Sequence, residues 1–129
     1  MVELTPEQEA VFGPPNLAYL ATTNADGSSH LAPLWADAHD GMIRLNTADG
    51  RVKVANVRRD PRVSVAIHDR DDPWPPLCVQ GTVVDITTEG ADEQIDALSR
   101  AYSGKAWTPV EGATRMVLVI RPDRILGWT

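Results

Sequence analysis

The sequence holds a single cysteine, Cys78, in 129 residues. One cysteine allows no disulfide within the chain, so a reducing compartment is the simplest interpretation. Long apolar runs are also absent, because no stretch approaches the ~18 consecutive apolar residues that a membrane-spanning helix requires. The acidic, polar stretch over residues 1–12 lacks the pattern of a secretory signal. We therefore expect a cytoplasmic protein without membrane contacts.

Basic residues are few: 12 lysines and arginines stand against 18 acidic residues, which gives a formal net charge of −6. A general nucleic-acid-binding protein needs a broad basic surface to contact phosphates, so we expect no nucleic-acid partner. Five of the 12 basic residues nevertheless lie within residues 51–62, namely Arg51, Lys53, Arg58, Arg59 and Arg62. This segment forms either a local anion-binding site or a solvated helix face.

Residues suited to direct catalysis or to metal binding are scarce. His30, His39 and His68 show no metal-ligand spacing, and Cys78 has no histidine near it in the sequence. The chain also lacks a P-loop, a Gly-x-Gly-x-x-Gly motif and a Gly-x-Ser-x-Gly motif. We therefore predict no metal site and expect any catalysis to come from a bound cofactor.

Turn residues and alternating apolar positions predict one mainly β domain over residues 1–129. Strands are predicted over 17–23, 29–38, 42–47, 63–68, 77–87, 115–120 and 124–128, with a turn or kink at Pro122-Asp123 between the last two. A short helix follows an N-cap at Thr5, and further helices are predicted over 51–59 and 89–103. Six to seven antiparallel strands favour a small barrel, because closure removes exposed sheet edges.

Two of these elements carry more specific predictions. Gly81 inside the strand 77–87 predicts a β-bulge or a close approach by another backbone. The helix 89–103 is predicted to present one apolar side, formed by Ile95, Leu98, Ala101 and Tyr102.

The segment from Thr47 to Lys53 is suited to a phosphorylated cofactor. A predicted strand ends there, Gly50 lets the backbone approach a ligand closely, and a helix N-terminus follows. Arg51 and Lys53 are two residues apart, so they share a side only where the chain is still extended. A first helical turn with two solvated cations explains the same segment.

A flat heteroaromatic ring needs apolar and backbone neighbours, and tryptophan is the abundant aromatic residue here, with four copies against one phenylalanine. The candidates are Pro33-Leu34-Trp35, Trp74-Pro75-Pro76, Trp107 and Trp128. Two of the four tryptophans lie in proline-bearing loops, where packing in a core explains them less easily. Each tryptophan taken alone is more typical of packing or of an interface.

Three segments carry a family pattern when they are taken in order. They are LAYLATTNADGSSHLAPLW (residues 17–35), LNTADGRVKVANVRRDPRV (residues 45–63) and RMVLVIRPDRILGW (residues 115–128). Together they resemble the pyridoxamine-phosphate-oxidase-like split β-barrels, and within these the flavin/deazaflavin oxidoreductase group. The second segment is the most specific of the three.

The resemblance implies a homodimer that binds FMN or the deazaflavin coenzyme F-420 in a groove between subunits. It implies contacts to the cofactor phosphate or acidic tail from Arg51 and Lys53, with Thr47 and Ala48 nearby. It implies a ring site bordered by Pro33, Leu34 and Trp35, and closed from the second subunit by Trp74, Gln80, Trp107 and Arg115. A dimer also agrees with chain length, because one small domain has little surface for a deep pocket.

The resemblance favours a deazaflavin-dependent reductase that passes hydride to a small organic electron acceptor. An FMN-dependent oxidoreductase of the same fold is the second hypothesis. A non-catalytic cofactor-binding protein is the third, because the sequence identifies no acid, base or nucleophile. The acidic stretch over residues 69–72 would repel a polyanionic tail that ran along it.

Overall fold

The computed structural model describes residues 2–127 and contains one seven-stranded sheet with three helices. The helices are α1 (Pro6–Val11), α2 (Val52–Arg59) and α3 (Ala91–Ser103). The strands are β1 (Ala18–Thr23), β2 (Ser29–Leu34), β3 (Ala36–His39), β4 (Met42–Ala48), β5 (Arg62–Ile67), β6 (Leu77–Thr87) and β7 (Arg115–Leu126). Every strand pair is antiparallel, in the order β2-β1-β5-β6-β7-β4-β3.

The sheet curls into a barrel whose two ends meet at Trp35. β2 and β3 stand at opposite ends of the sheet order, yet only Trp35 separates Leu34 of β2 from Ala36 of β3. Because consecutive Cα atoms are ~3.8 Å apart, this one residue forces the two ends of the sheet together. The predicted strand 29–38 is therefore bent at Trp35 and forms both edge strands of the sheet, β2 and β3. The predicted split β-barrel is confirmed.

Alternating residues of the strands fill the barrel. Leu20 of β1, Leu45 of β4 and Leu118 of β7 are all fully or almost fully buried. One end of the barrel is covered by α2, whose Asn56 amide donates to Thr22 Oγ1 at 3.0 Å and to Asn24 Oδ1 at 2.9 Å. The third helix, α3, packs against β7 and β4. The predicted site residues of β4 therefore lie in the barrel itself, and those of α2 lie in a helix that is hydrogen-bonded to it.

Gly81 lies where β6 and β7 approach each other most closely. A Cβ atom built on Gly81 would stand 2.7 Å from the Arg121 carbonyl oxygen and 2.7 Å from Ile120 Cγ2. The strand register shifts between Gln80 and Gly81. The predicted bulge and close approach are both confirmed, because only a residue without a side chain fits this contact.

β7 corrects one prediction in part: it is a single strand from Arg115 to Leu126 and not two strands, but the predicted kink at Pro122-Asp123 coincides with a register irregularity. Gln80 pairs with Arg124 and Gly81 pairs with Pro122, so Asp123 is an extra residue in β7. The missing N–H of Pro122 is tolerated there because the regular ladder is already broken. Trp128, the predicted end of the last strand, lies outside the described residues.

The helix predictions need smaller corrections. α3 begins at Ala91, two residues later than predicted, because Gly90 takes a left-handed conformation with φ 73°. Ala101 is exposed and does not join Ile95 and Leu98 on the buried side. Within residues 2–127, no helix is both long enough and apolar enough to cross a membrane.

Candidate functional site

An open pocket of about 310 Å³ lies beside the bend at Trp35. It is walled by Leu17, Pro33, Leu34, Trp35, Asn46, Ile95, Leu98, Trp107 and Arg115. The barrel supplies the Trp35 side of this wall, and α3 supplies Ile95 and Leu98. Ligand pockets usually span ~300–1,000 Å³, so this volume suits a ring system better than an entire cofactor with its side chain. We call it the Trp35 pocket.

Trp35 and Trp107 line the Trp35 pocket, and a third aromatic side chain, Tyr102, packs against Trp35. The rings of Trp35 and Tyr102 are stacked, with centroids 5.5 Å apart and 13° between their planes, and Trp107 meets Trp35 edge-on at 6.3 Å. The Tyr102 hydroxyl donates to the Asn16 carbonyl at 2.7 Å and lies 3.4 Å from the Ala36 N–H. Burial raises the pKa of Tyr102, which keeps the hydroxyl neutral. Tyr102 therefore supports Trp35 from α3 and fixes the bend between β2 and β3.

Arg115 forms the charged edge of the pocket. It is the first residue of β7 and pairs with Ala48 at the end of β4. Its Nε donates to Asn46 Oδ1 at 2.9 Å, and its guanidinium carbon lies 5.0 Å from the centre of the Trp107 ring. This geometry is a cation–π contact, which holds the guanidinium plane beside the indole.

Arg51 and Lys53 join Arg115 in a cationic cluster. Burial lowers the pKa of Lys53, and the positive charges of Arg51 and Arg115 lower it further. Burial is also the main cause of a lowered pKa at Arg115, followed by the charge of Arg51. Charges act this way only over short distances, so the N-terminus of α2, with Arg51 and Lys53, and the start of β7, with Arg115, converge on one corner.

The backbone around the cationic cluster explains why the charges point the same way. Arg51 is the N-cap of α2 and is extended, with φ −75° and ψ 149°, whereas Lys53 already lies in the first turn of the helix, so the predicted extended condition is met only at Arg51. No side chain caps the α2 N-terminus, and its first turn holds no acidic residue, so the helix adds positive potential at the same corner. Thr47 and Ala48 are both buried at the end of β4, just before this turn.

Among residues 2–127, the Asp92 carboxylate acts on Arg115 and favours its charged form, but it forms no ion pair with it. The ion pairs within residues 2–127 include none of Arg51, Lys53 and Arg115. Lys53 is nevertheless only 9% exposed. A buried ammonium beside two guanidinium groups is unfavourable unless a ligand supplies negative charge. The arrangement is therefore suited to an anion.

Comparison with known proteins places this barrel in a family. The sequence matches the pyridoxamine 5′-phosphate oxidase family over residues 4–129. The chain belongs to this family. Among solved structures, it is similar to an F420 reductase with a TM-score of 0.85 and 25% identity, over 97% of this chain and 100% of that one.

Two further structures extend the comparison. A conserved hypothetical protein from Mycobacterium tuberculosis is 25% identical, with a TM-score of 0.74 over 97% of this chain and 84% of that one. HupZ from Group A Streptococcus is 24% identical, with a TM-score of 0.68 over 95% of this chain and 91% of that one. The second of these relatives shows only that the oxidase-family fold is shared.

The predicted site residues of this oxidase-family barrel fall into two groups. Pro33, Leu34, Trp35, Trp107 and Arg115 line the Trp35 pocket of a single subunit, although Trp107 and Arg115 were expected from a second one. Trp74 and Gln80 do not line this pocket: Trp74 is 78% exposed, and Gln80 lies in a different groove, with Ser64 and Cys78. Trp128 lies outside the described residues.

Several residues of the pocket were not predicted. Asn46, Ile95 and Leu98 line it, and Tyr102 stacks on its wall. Ile95, Leu98 and Tyr102 were predicted only as one apolar side of a helix. No sequence signal pointed to Asn46, because its role depends on which helix covers β4. Among residues 2–127, no group of three or more His, Cys, Asp and Glu side chains is placed to hold a metal ion.

Proposed function

We propose that this chain is a subunit of a deazaflavin (coenzyme F-420)-dependent reductase that passes hydride to a small organic electron acceptor. The observation that carries the proposal is the cationic cluster beside the Trp35 pocket. An anion site and an aromatic ring site that share Arg115 match a cofactor with a phosphorylated tail and a flat ring. The likeness to an F420 reductase along nearly the whole chain supports a deazaflavin.

In this proposal, the chain binds and orients, and the cofactor supplies the redox chemistry. Arg51, Lys53 and Arg115 hold the phosphate or acidic tail, while Pro33 and Trp35 border the ring. The bound, reduced deazaflavin supplies a hydride to the acceptor, and solvent supplies the proton that completes the reduction. Arg115 is the only ionisable side chain among the residues that line the Trp35 pocket, so proximity and orientation are the contributions left to the protein.

We further propose that two copies assemble through the outer face of β2, β1, β5, β6 and β7. On this face Tyr19, Leu31 and Leu126 are exposed by 39%, 65% and 36%. They line a groove of about 190 Å³ that contains no charged residue. A contiguous apolar patch of this kind is typical of an interface, and a second copy offers the same apolar surface. The lone cysteine in this groove, Cys78, fits a cytoplasmic protein.

A dimer also gives a role to the residues left outside the Trp35 pocket. Gln80 lies in the apolar groove, and Trp74 lies on the loop that leads into β6. We propose that both contact the cofactor held by the other subunit.

The decisive experiment titrates the purified protein with coenzyme F-420 and with FMN, and follows tryptophan fluorescence. The Lys53→Ala substitution is expected to weaken cofactor binding by ~1.5–3 kcal/mol, because a charge-assisted contact to the phosphate is lost. Lys105→Ala, which removes the same charge from an exposed loop residue, serves as the matched control. Equal affinities of wild type and Lys53→Ala would remove Lys53 from the site.

The same titration separates the alternatives. Three converging cations also suit the doubly charged phosphate monoester of FMN, so tighter binding of FMN than of F-420 would favour an FMN-dependent oxidoreductase of the same fold. The residues that line the Trp35 pocket include no carboxylate, histidine, lysine, cysteine or tyrosine to act as a general acid or base, which favours a non-catalytic cofactor-binding protein. Tight binding without reduction of any acceptor tried would support that third function.

A further inference from the structure

Asn46 is a polar residue in an unusual place. It lies in β4 and is only 5% exposed. A buried amide costs free energy unless its donors and its acceptor all find partners. Here they do: Oδ1 accepts from Arg115 Nε at 2.9 Å, and Nδ2 donates to the Ala91 carbonyl at 2.8 Å and to Gln94 Oε1 at 3.1 Å.

The partners of Asn46 permit only one orientation of its amide. The Ala91 carbonyl accepts only, and Arg115 donates only. Gln94 is oriented in turn by Asp37, whose Oδ2 accepts from Gln94 Nε2 at 3.3 Å and from Arg44 Nη2 at 3.0 Å. A 180° flip of the Asn46 amide would place its NH2 group against the Arg115 N–H, and its oxygen against the Ala91 carbonyl oxygen and Gln94 Oε1. The Asn46 oxygen is therefore held toward Arg115.

This hydrogen bond matters because Arg115 is repelled by its neighbours. Arg51 and Lys53 carry the same charge and repel the guanidinium, whereas the Asp92 carboxylate attracts it from α3, so charge alone does not fix its position at the cluster. The Asn46 oxygen holds one edge of the guanidinium, and the Trp107 ring lies against its face. The two terminal nitrogens of Arg115 can then donate bidentate hydrogen bonds to an oxyanion. A side chain held in this way loses less conformational entropy when the ligand arrives.

We propose that Asn46, oriented by the Ala91 carbonyl and by Gln94, is a positioning residue that holds Arg115 in the cationic cluster and thereby sets the affinity for the anionic part of the ligand. The identity of that ligand rests on the proposed function. The positioning of Arg115 does not.

The first test reads Arg115 directly in the cofactor-free protein. The Nε–H proton of Arg115, held by a buried acceptor, is expected to give a resolved and slowly exchanging NMR signal. Asn46→Leu, which has a similar size and no acceptor, should abolish it. Gln8→Leu removes an equally buried amide in α1 and should leave it in place. Persistence of the signal in Asn46→Leu would overturn the proposal.

The second test is a double-mutant cycle on cofactor affinity, measured with coenzyme F-420. Asn46→Leu is expected to weaken binding roughly 5- to 10-fold, and Arg115→Met roughly 10- to 100-fold. If Asn46 acts through Arg115, adding Asn46→Leu to Arg115→Met causes no further loss. An equal loss in both backgrounds would show that Asn46 acts by another route, against the proposal.

Two further points keep the outcomes separable. If Asn46→Leu does not fold, Asn46→Val removes the same acceptor with a side chain that strands favour, and the same results are expected. If the wild type binds neither F-420 nor FMN, the proposed function fails. The NMR signal then still decides whether Asn46 positions Arg115.

Discussion

Lys53 illustrates what single residues contribute to this site. The segment RVK shows two cations two positions apart, and the extended conformation of Arg51 followed by the first turn of α2 brings them to one corner. Burial of Lys53 then makes its charge costly in the absence of a ligand. A ligand that supplies negative charge would relieve this cost.

The lowered pKa of Lys53 predicts how cofactor binding depends on pH. Only the protonated lysine attracts the anion, and its pKa lies below the ordinary value of 10.5 because of burial and of the charges of Arg51 and Arg115. Affinity should therefore fall as the pH rises, and the fall should begin at a lower pH than the titration of an exposed lysine. Isothermal titration calorimetry between pH 7.5 and 9.5 measures it.

Lys53→Arg is the matched control for this pH dependence. Arginine keeps its charge throughout this range, so the alkaline loss of affinity should disappear in the variant, although its geometry differs from that of lysine. A wild-type loss that is unchanged in Lys53→Arg would assign the titration to another group.

Among the elements, the bent strand β2–β3 and the bulged strand β6 shape the barrel. The bend at Trp35 lets one stretch of chain pair with both ends of the sheet and also turns an indole into the pocket. In β6, the shift at Gly81 lets the chain pass close to β7, where Arg121 and Ile120 leave no space for a side chain. Both features interrupt the regular strand ladder locally, and the barrel needs these interruptions in order to close.

Gly81→Ala is expected to destabilise the protein by ~1–3 kcal/mol, the usual cost of overpacking. The added methyl group would stand 2.7 Å from the Arg121 oxygen, and a backbone atom can retreat only if the two strands separate. Urea unfolding measures the change. Val84→Ala, at an exposed position of the same strand, should cost clearly less. Equal stability of Gly81→Ala and wild type would contradict the close contact of β6 with β7.

For the whole molecule, the apolar outer face of the sheet is a surface that a second copy could cover. The interior of the barrel is already filled by side chains, and the Trp35 pocket is open to solvent on one side. A second copy placed on this face would bury Tyr19, Leu31 and Leu126 and add a wall to the site. Assembly and cofactor binding are coupled in this proposal, since binding between two subunits stabilises the pair.

Leu31→Arg tests the proposed assembly. Leu31 is 65% exposed on the apolar outer face, so an arginine there should leave the fold intact while it places an unpaired charge in the interface. Sedimentation velocity is expected to show a dimer for wild type and a monomer for Leu31→Arg. Val110→Arg, at a similarly exposed loop position, should remain dimeric. A monomeric wild type at micromolar concentration would contradict the proposed dimer.

The sequence by itself determined the strands, the chain turns and the position of the cationic segment. Alternating apolar residues mark the strands because neighbouring side chains point to opposite faces, and glycine or proline marks most of the breaks. The same local rules located the α2 N-terminus after Gly50 and predicted the contact at Gly81. They divided β7 into two strands at Pro122, whereas the structure has one strand with an extra residue, Asp123, because pairing with β6 continues on both sides of it.

Only the tertiary structure decided which distant residues meet at the site. Arg115 is 62 positions from Lys53, and it reaches the cluster because β7 pairs with β4. Asn46 acquires partners only because α3 covers β4, and Trp107 and Arg115 join Trp35 within one subunit. Strand pairing and helix docking depend on the packing of the whole barrel. A local sequence pattern therefore identifies the cations, and the closed sheet determines that they act together.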